Sequence, residues 1–172
     1  MGTDTAQLKS ERVLESIRQT QRSKEVVDVE MELIKVVVFV SGGTRYGFYG
    51  SDIREILPAC AISWVPGLPP YLPGLINIRG DIESVIDLCQ FLGSEAADSD
   101  NRLIAMAVKG NFRSGILIDS IDDVMDIPLH AIQPPLGTLT GVARDLVAGE
   151  IEHQGGLITL LDTEKLAARV RL

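Results

Sequence analysis

The chain has 172 residues, of which 45% are hydrophobic and 23% are charged, a composition typical of a globular domain long enough to form a core without disulfides. No apolar stretch approaches the roughly 18 residues that a membrane-spanning helix requires, so we expect no direct membrane insertion. The 16 basic and 24 acidic residues give a formal net charge of −8, which opposes binding to phosphate backbones, and we therefore expect no nucleic-acid partner.

The amino-terminal segment is rich in charge and lacks proline and glycine from residue 5 to about residue 24. Leu14, Val13 and Ile17 give it a thin apolar stripe at helical spacing. We predict that residues 1–30 form a helical extension, either solvent-exposed or docked on a partner, and that residues 31–172 form the folded domain. Because no apolar segment follows a basic start, a secretory signal is not expected.

From Met31 onward the sequence consists of short β-rich runs separated by turn residues. LIKVVVFVS predicts a strand that ends at the turn Gly42-Gly43, followed by an antiparallel partner beginning RYGFYG. We interpret SDIREIL as a helical turn that Ser51 or Asp52 opens. The segment AISWVP then returns to extended structure before a stretch rich in proline and glycine.

The rest of the chain continues as hairpins. LINIRG and DIESVIDL predict two strands, and the acidic loop QFLGSEAADSDN is expected to separate two halves of the chain. Two further hairpins are expected around Gly110-Asn111 and Gln154-Gly155-Gly156, with the strand IDDVMDIP and a long loop between them. Asp162 or Thr163 is expected to cap a terminal helix. Each half would hold about five strands, which favours two small linked β-barrels.

The residue types that catalysis or metal binding requires are sparse. His130 and His153 have no Cys or His at zinc-ligand spacing, and no phosphate-binding glycine loop is present, so we expect neither a metal nor a cofactor. Cys60 and Cys89 both lie among apolar residues and are expected to be buried, reduced thiols.

Four carboxylates cluster along one segment, and we interpret them as a solvated acidic edge: Asp119, Asp122, Asp123 and Asp126. A small β-barrel enzyme that uses this cluster or Cys60 remains an alternative. The remaining and preferred interpretation is an interaction module without enzymatic activity. Arg79 supports it, since a guanidinium within an apolar run must be paired or exposed, and an exposed arginine on a strand is a common anchor at interfaces.

Four segments, taken in order, resemble the CheW family of bacterial chemotaxis coupling proteins: YGFYGSDIREIL, PGLINIRGDIESVIDLCQFLG, SGILIDSIDDVMDIPLHAIQPP and LVAGEIEHQGGLITLLDTEKL. The resemblance runs from about Val36 to Leu166. It implies a mainly β fold of two SH3-like five-stranded barrels that share a core. It also implies a cytoplasmic adaptor at membrane-associated receptor arrays, which couples the chemoreceptor tip to the regulatory domain of a CheA-type histidine kinase.

The resemblance also assigns residues to a receptor-binding groove. Arg79 matches the arginine of the family's Asn-Leu-Arg-Gly motif, Glu55 matches a glutamate of the groove, and Ile53 falls on a neighbouring apolar contact position. We expect Arg79 to pair with Glu55, although such a pair could also be a surface ion pair without function. Three further motif residues are expected to be structural: Asn77, Gly80 and Asp87.

The sequence departs from the family pattern near this groove. Asp81, Glu83 and Ser84 replace the typical Val, Val and Pro, and Gly50-Ser51 replaces larger apolar residues. The two acids beside Arg79 are expected to alter receptor preference or to weaken binding to a standard receptor tip. A scaffold of a non-motility chemosensory pathway is therefore retained as an alternative function.

Overall fold

The structure is a computed structural model that describes residues 14–16, 18, 31–95, 101–137, 139 and 141–170. The chain divides into two compact units, residues 1–32 and residues 33–172. In the first unit the described residues 14–16 and 18 are helical, and the rest of the predicted amino-terminal helix lies outside the described residues. The second unit contains the β structure.

Eleven strands are present in the described part of residues 33–172: β1 Leu33–Ser41, β2 Thr44–Tyr49, β3 Ile53–Pro58, β4 Gly74–Ile78, β5 Asp81–Asp87, β6 Leu103–Lys109, β7 Phe112–Ile118, β8 Ser120–Pro128, β9 Ile132–Gln133, β10 Val147–His153 and β11 Gly156–Leu161. Short helices span Leu88–Leu92, Gly141–Leu146 and Thr163–Arg169, and single 3₁₀ turns span Gly50–Asp52 and Leu129–Ala131. No helix in the described residues is long and apolar enough to cross a membrane.

The strands form two sheets, and the five-stranded sheet is an uninterrupted segment of the chain, β3 to β7, between strands of the six-stranded sheet. The six-stranded sheet has the order β8-β1-β2-β11-β10-β9, and the five-stranded sheet has the order β3-β6-β7-β5-β4. Neighbours are antiparallel except for β2 with β11 and β5 with β7. The predicted mainly β fold with two barrels is confirmed. The predicted division into sequence halves is wrong, because β5 and β6, on either side of the acidic loop, belong to one sheet.

Three apolar clusters explain why the central strands are continuous apolar runs. On β6, Ile104 and Met106 point into a cluster inside the five-stranded barrel, whereas Ala105 and Ala107 point into a cluster shared with the other sheet. On β1, Val36 and Val38 similarly fill the six-stranded barrel. A strand that is buried on both faces has no solvent side, so it loses the polar alternation of a half-buried strand. The predicted common core is therefore present.

Two glycines allow the barrel interiors to close. A Cβ atom on Gly47 would lie 2.9 Å from Val36 Cγ1, and a Cβ atom on Gly115 would lie 2.7 Å from Ile104 Cγ2. Each glycine therefore occupies a site where the opposite branched side chain fills the space above the backbone.

The segment SDIREIL forms a strand rather than the predicted helical turn. Only Ser51 and Asp52 belong to a 3₁₀ turn, and Ile53–Pro58 pairs with β6 as an edge strand. Its residues alternate between partly buried and exposed, which fits the period of a strand. Pairing with β6 therefore outweighs the local helix-start signal.

The helix Leu88–Leu92 was missed by the sequence reasoning, which extended the preceding strand to Leu88. Asp87 ends β5 and caps this helix, since its Oδ1 accepts a hydrogen bond from the backbone N–H of Gln90 at 3.3 Å. Gly93 closes the other end with a φ of 71°. The terminal helix is capped as predicted by Asp162, whose side chain accepts from the N–H groups of Glu164 and Lys165.

The two cysteines lie in different environments. Cys89 is buried as predicted, and its Sγ lies 2.9 Å from Ser41 Oγ. Cys60 is exposed, so the prediction that it is buried was wrong. It follows the end of β3 in a segment that leaves the sheet, and the neighbouring Ala59 and Ala61 are exposed as well.

We predict that Gly115→Ala destabilises the fold by about 1–3 kcal/mol, because the new methyl group would overlap Ile104 in a close-packed interior. Gly137→Ala is the matched control, since a Cβ there meets nothing within 4 Å and φ is not positive. Its effect should stay within about 0.5 kcal/mol. Urea unfolding measures both, and equal stabilities of the two variants would contradict the close approach.

Candidate functional site

The β4–β5 hairpin turns on two residues, Arg79 and Gly80. Their φ angles are 54° and 96°, so both adopt left-handed conformations, as in the tight turns that suit the twist of a hairpin. Asn77 Oδ1 accepts a hydrogen bond from the backbone N–H of Gly80 at 2.9 Å. Asn77 therefore makes a hydrogen bond within the turn itself. An arginine in a left-handed conformation is uncommon, and here the turn holds its side chain beyond the end of the sheet.

Arg79 forms a two-point ion pair with Glu55, as predicted. Arg79 Nη1 donates to Glu55 Oε1 at 3.2 Å, and Nη2 donates to Oε2 at 2.9 Å. The Arg79 side chain is 75% exposed, whereas that of Glu55 is 22% exposed. Glu55 lies on β3 and Arg79 lies beside β4, the two opposite edges of the five-stranded sheet. The pair therefore links both edges of the barrel and presents the guanidinium to solvent.

A register shift on β3 directs Glu55 toward this position. Ile53 is opposite Ala107, but Glu55 is opposite Met106. Strand β3 therefore has one extra residue, Arg54, that has no partner on β6. Such a bulge turns the following side chain relative to a regular strand. Ile53 itself is half-buried and packs against the shared core. Of the predicted groove residues, the structure thus joins Arg79 directly to Glu55 and places Ile53 at the start of the same strand.

The two unusual acids, Asp81 and Glu83, pair with an arginine that the sequence reasoning did not single out. Arg113 Nε on β7 lies 2.7 Å from Glu83 Oε1, and its Nη2 lies 3.7 Å from Asp81 Oδ2. The parallel pairing of β5 with β7 brings these residues together. No local pattern reveals a parallel pairing between distant strands, so Arg113 could not have been assigned from the sequence.

A third ion pair lies at the same end of the sheet. Lys109 Nζ donates to Asp52 Oδ1 at 2.9 Å, and the Asp52 side chain is only 4% exposed. The hydrogen bond and charge of Asp52 raise the pKa of Lys109 above its ordinary value. We call the seven residues of these three pairings the charged end: Asp52, Glu55, Arg79, Asp81, Glu83, Lys109 and Arg113.

The opposite end of the five-stranded sheet carries a largely buried ionic network. Arg102 Nη1 donates to Asp87 Oδ2 at 2.9 Å and Nη2 donates to Oδ1 at 3.2 Å, while Arg102 Nε lies 3.3 Å from Asp119 Oδ1. Asp119 Oδ2 in turn accepts from the backbone N–H of Gly42, in the β1–β2 turn. Burial opposes the charged guanidinium, but the two aspartates outweigh it, so the pKa of Arg102 is raised above its ordinary value.

The four clustered carboxylates do not form one site. Asp122 pairs with Arg45 at 3.1 Å and Asp126 pairs with Lys35 at 2.8 Å, along the exposed edge strand β8. The predicted acidic edge is present on β8, but Asp119 does not belong to it, because its side chain is only 8% exposed and faces Arg102. Among the described residues, no three His, Cys, Asp or Glu side chains are arranged to hold a metal ion.

The sequence is similar to those of known proteins over most of its length. Residues 35–171 match the family model described as CheW-like domain. The chain is 30% identical over 133 residues to chemotaxis protein CheW of Bacillus subtilis, covering 74% of this chain and 83% of that protein. It is 28% identical over 137 residues to protein FrzA of Myxococcus xanthus, covering 77% of this chain and 84% of that protein.

A solved structure agrees with the fold. The scaffolding protein TtCheW from Thermoanaerobacter tengcongensis superposes with a TM-score of 0.70 at 26% sequence identity, over 76% of this chain and 90% of that chain.

We predict that Arg102→Ala destabilises the fold by about 3–5 kcal/mol, because it would leave two buried carboxylates without their cation. Arg45→Ala is the control, since it removes an arginine from the half-exposed pair with Asp122 and should cost at most about 1 kcal/mol. Urea unfolding at neutral pH measures both variants. A loss for Arg102→Ala no larger than that of the control would show that the network does not stabilise the fold.

Proposed function

The chain belongs to the CheW-like domain family, and on that premise we propose that it couples the cytoplasmic tip of a chemoreceptor to the regulatory domain of a CheA-type histidine kinase. The family assignment makes it a chemotaxis coupling adaptor, and the match spans nearly all of the compact unit 33–172. The adaptor makes kinase output depend on receptor state by holding both partners in one complex. It does so in the cytoplasm, at membrane-associated receptor arrays.

The exposed Arg79–Glu55 pair is the observation that supports a receptor contact at this position. Glu55 uses both oxygens to fix the guanidinium, so little side-chain entropy remains to be lost when a partner binds. The outward N–H groups of Arg79 are free to donate to acceptors on a partner helix. Ile82, 61% exposed, lies opposite Asn77 in the same hairpin and adds apolar surface beside the charged group.

The role is non-enzymatic. Two of the three clustered carboxylates on β8, Asp122 and Asp126, are paired with Arg45 and Lys35, and Asp119 is paired with Arg102. The compared scaffolding protein TtCheW shares the fold. These ion pairs give the carboxylates a structural role that requires no catalytic activity.

A second candidate function is coupling in a chemosensory pathway whose output is not motility. The similarity to FrzA favours it, because that relative carries a name other than chemotaxis protein. Deleting the gene distinguishes the two candidates. Loss of chemotactic spreading in soft agar supports the first, whereas unchanged spreading with altered development or gene expression supports the second.

We predict that Arg79→Ala and Glu55→Ala each weaken binding to a receptor tip fragment from the same organism by about tenfold or more, as expected for an interface anchor. The free proteins should remain folded, since an exposed ion pair contributes at most about 1 kcal/mol. Co-sedimentation with the fragment and the CheA-type kinase gives the binding and the kinase activity together.

Arg45→Ala serves as the matched control, because it also removes an arginine from an ion pair but in the six-stranded sheet. It should bind as the wild type does. If the Arg79 and Glu55 variants bind as tightly as this control, the receptor contact lies elsewhere; if the wild type enters no complex with either partner, the coupling function is wrong.

A further inference from the structure

Within the charged end, Asp81 lacks the close ion-pair partner that each of the other six residues has. Arg79 and Asp81 flank Gly80 in the turn and are both highly exposed, with side-chain accessibilities of 75% and 68%. Arg79 is matched by Glu55 through two hydrogen bonds. Asp81 has only a long contact of 3.7 Å to Arg113. The two exposed residues therefore carry opposite charges, but only Arg79 has a close partner of its own.

Arg113 cannot neutralise both acids equally. Its Nε lies 2.7 Å from Glu83, whose side chain is 11% exposed and which pairs in the ladder with the buried Ile76. An ion pair in a poorly solvated position is stronger than one in water at a longer distance. Arg113 is thus mainly the partner of Glu83, and the negative charge of Asp81 is directed toward solvent.

The sequence spacing of Arg79 and Asp81 is compatible with contacts to one turn of a helix. Residues two apart along a chain have Cα atoms at most about 7 Å apart. On a helix, side chains three or four residues apart have Cβ atoms about 5–6 Å apart. One turn of a partner helix can therefore present an acceptor to Arg79 and a basic side chain to Asp81 at the same time.

We propose that Asp81 determines which receptor tips this adaptor binds, by pairing with a Lys or Arg that lies one helical turn from the receptor group that contacts Arg79. This inference rests on the proposed function and specifies the chemistry of its receptor partner. An acidic residue at that receptor position would face Asp81 at close range and would be rejected, because like charges across an interface cost binding free energy. Asp81, which replaces the typical Val of the family, therefore contributes to receptor specificity.

The test compares Asp81→Asn and Asp81→Lys with the wild type, using a receptor tip fragment from the same organism as the probe. Calorimetric titration measures the affinity of each variant. Asp81→Asn should weaken binding about threefold and Asp81→Lys about tenfold or more. The wild-type affinity should fall more steeply with added salt than that of Asp81→Asn, because one ion pair has been lost.

A charge-swap experiment identifies the receptor residue. Each Lys and Arg of the fragment is changed to Glu in turn, and one of these changes should restore binding to Asp81→Lys while weakening binding to the wild type. Asp122→Lys is the control, because it reverses an ion-paired aspartate of the other sheet and should leave affinity unchanged. Thermal melting confirms that each variant is folded.

The outcomes separate this inference from the proposed function. If Arg79→Ala weakens binding but Asp81→Lys binds as the wild type does, Asp81 does not select receptors and the inference is overturned while the coupling function stands. If no fragment charge reversal restores binding to Asp81→Lys, the pairing with a basic residue is overturned. If the wild type does not bind the fragment at all, the proposed function fails first.

Discussion

The two-point ion pair between Arg102 and Asp87 is the interaction on which the arrangement of the two sheets depends. Asp87 ends β5, caps the following helix and binds the guanidinium. Through Asp119 and the Gly42 amide, the same network reaches the β1–β2 turn of the other sheet. Apolar packing in the shared core supplies attraction without direction, whereas these ion pairs and hydrogen bonds are directional and favour one arrangement of the sheets.

One end of the five-stranded sheet is closed in this way, and the other end carries the groups that we propose for receptor binding. The charged end lies where the β4–β5 and β6–β7 turns meet the start of β3. The Arg79–Glu55 pair spans the two sheet edges there, so the position of the guanidinium is set by the curvature of the whole barrel. A rigid scaffold beneath a few exposed polar groups is the usual design of a recognition surface.

The sequence was informative wherever a structural feature depends on neighbouring residues. Glycine turns located the hairpins, and the family resemblance located Arg79 opposite Glu55. The insertion of the five-stranded sheet between strands of the other sheet was not predicted, because the parallel pairs β2–β11 and β5–β7 join strands with no shared local signal. The same pairing hid Arg113 as the partner of Glu83. The segment Ile53–Pro58 was predicted to be helical because the residues before it favour the start of a helix. It is a strand because it pairs with β6, which lies about fifty residues further along the chain.

The order of the strands along the chain also has a consequence for biosynthesis. All strands of the five-stranded sheet lie between residues 53 and 118, so a ribosome emits every partner of that sheet before it completes β8. The β1–β2 hairpin must wait for the last strands, and until then Phe48 lacks part of its cover. Because strands can pair once their partners have emerged, the five-stranded sheet can form first, while its face toward the shared core and the β1–β2 hairpin remain partly uncovered. Translation speed through the carboxyl-terminal third therefore sets how long the unfinished hairpin is open to chaperones or to aggregation.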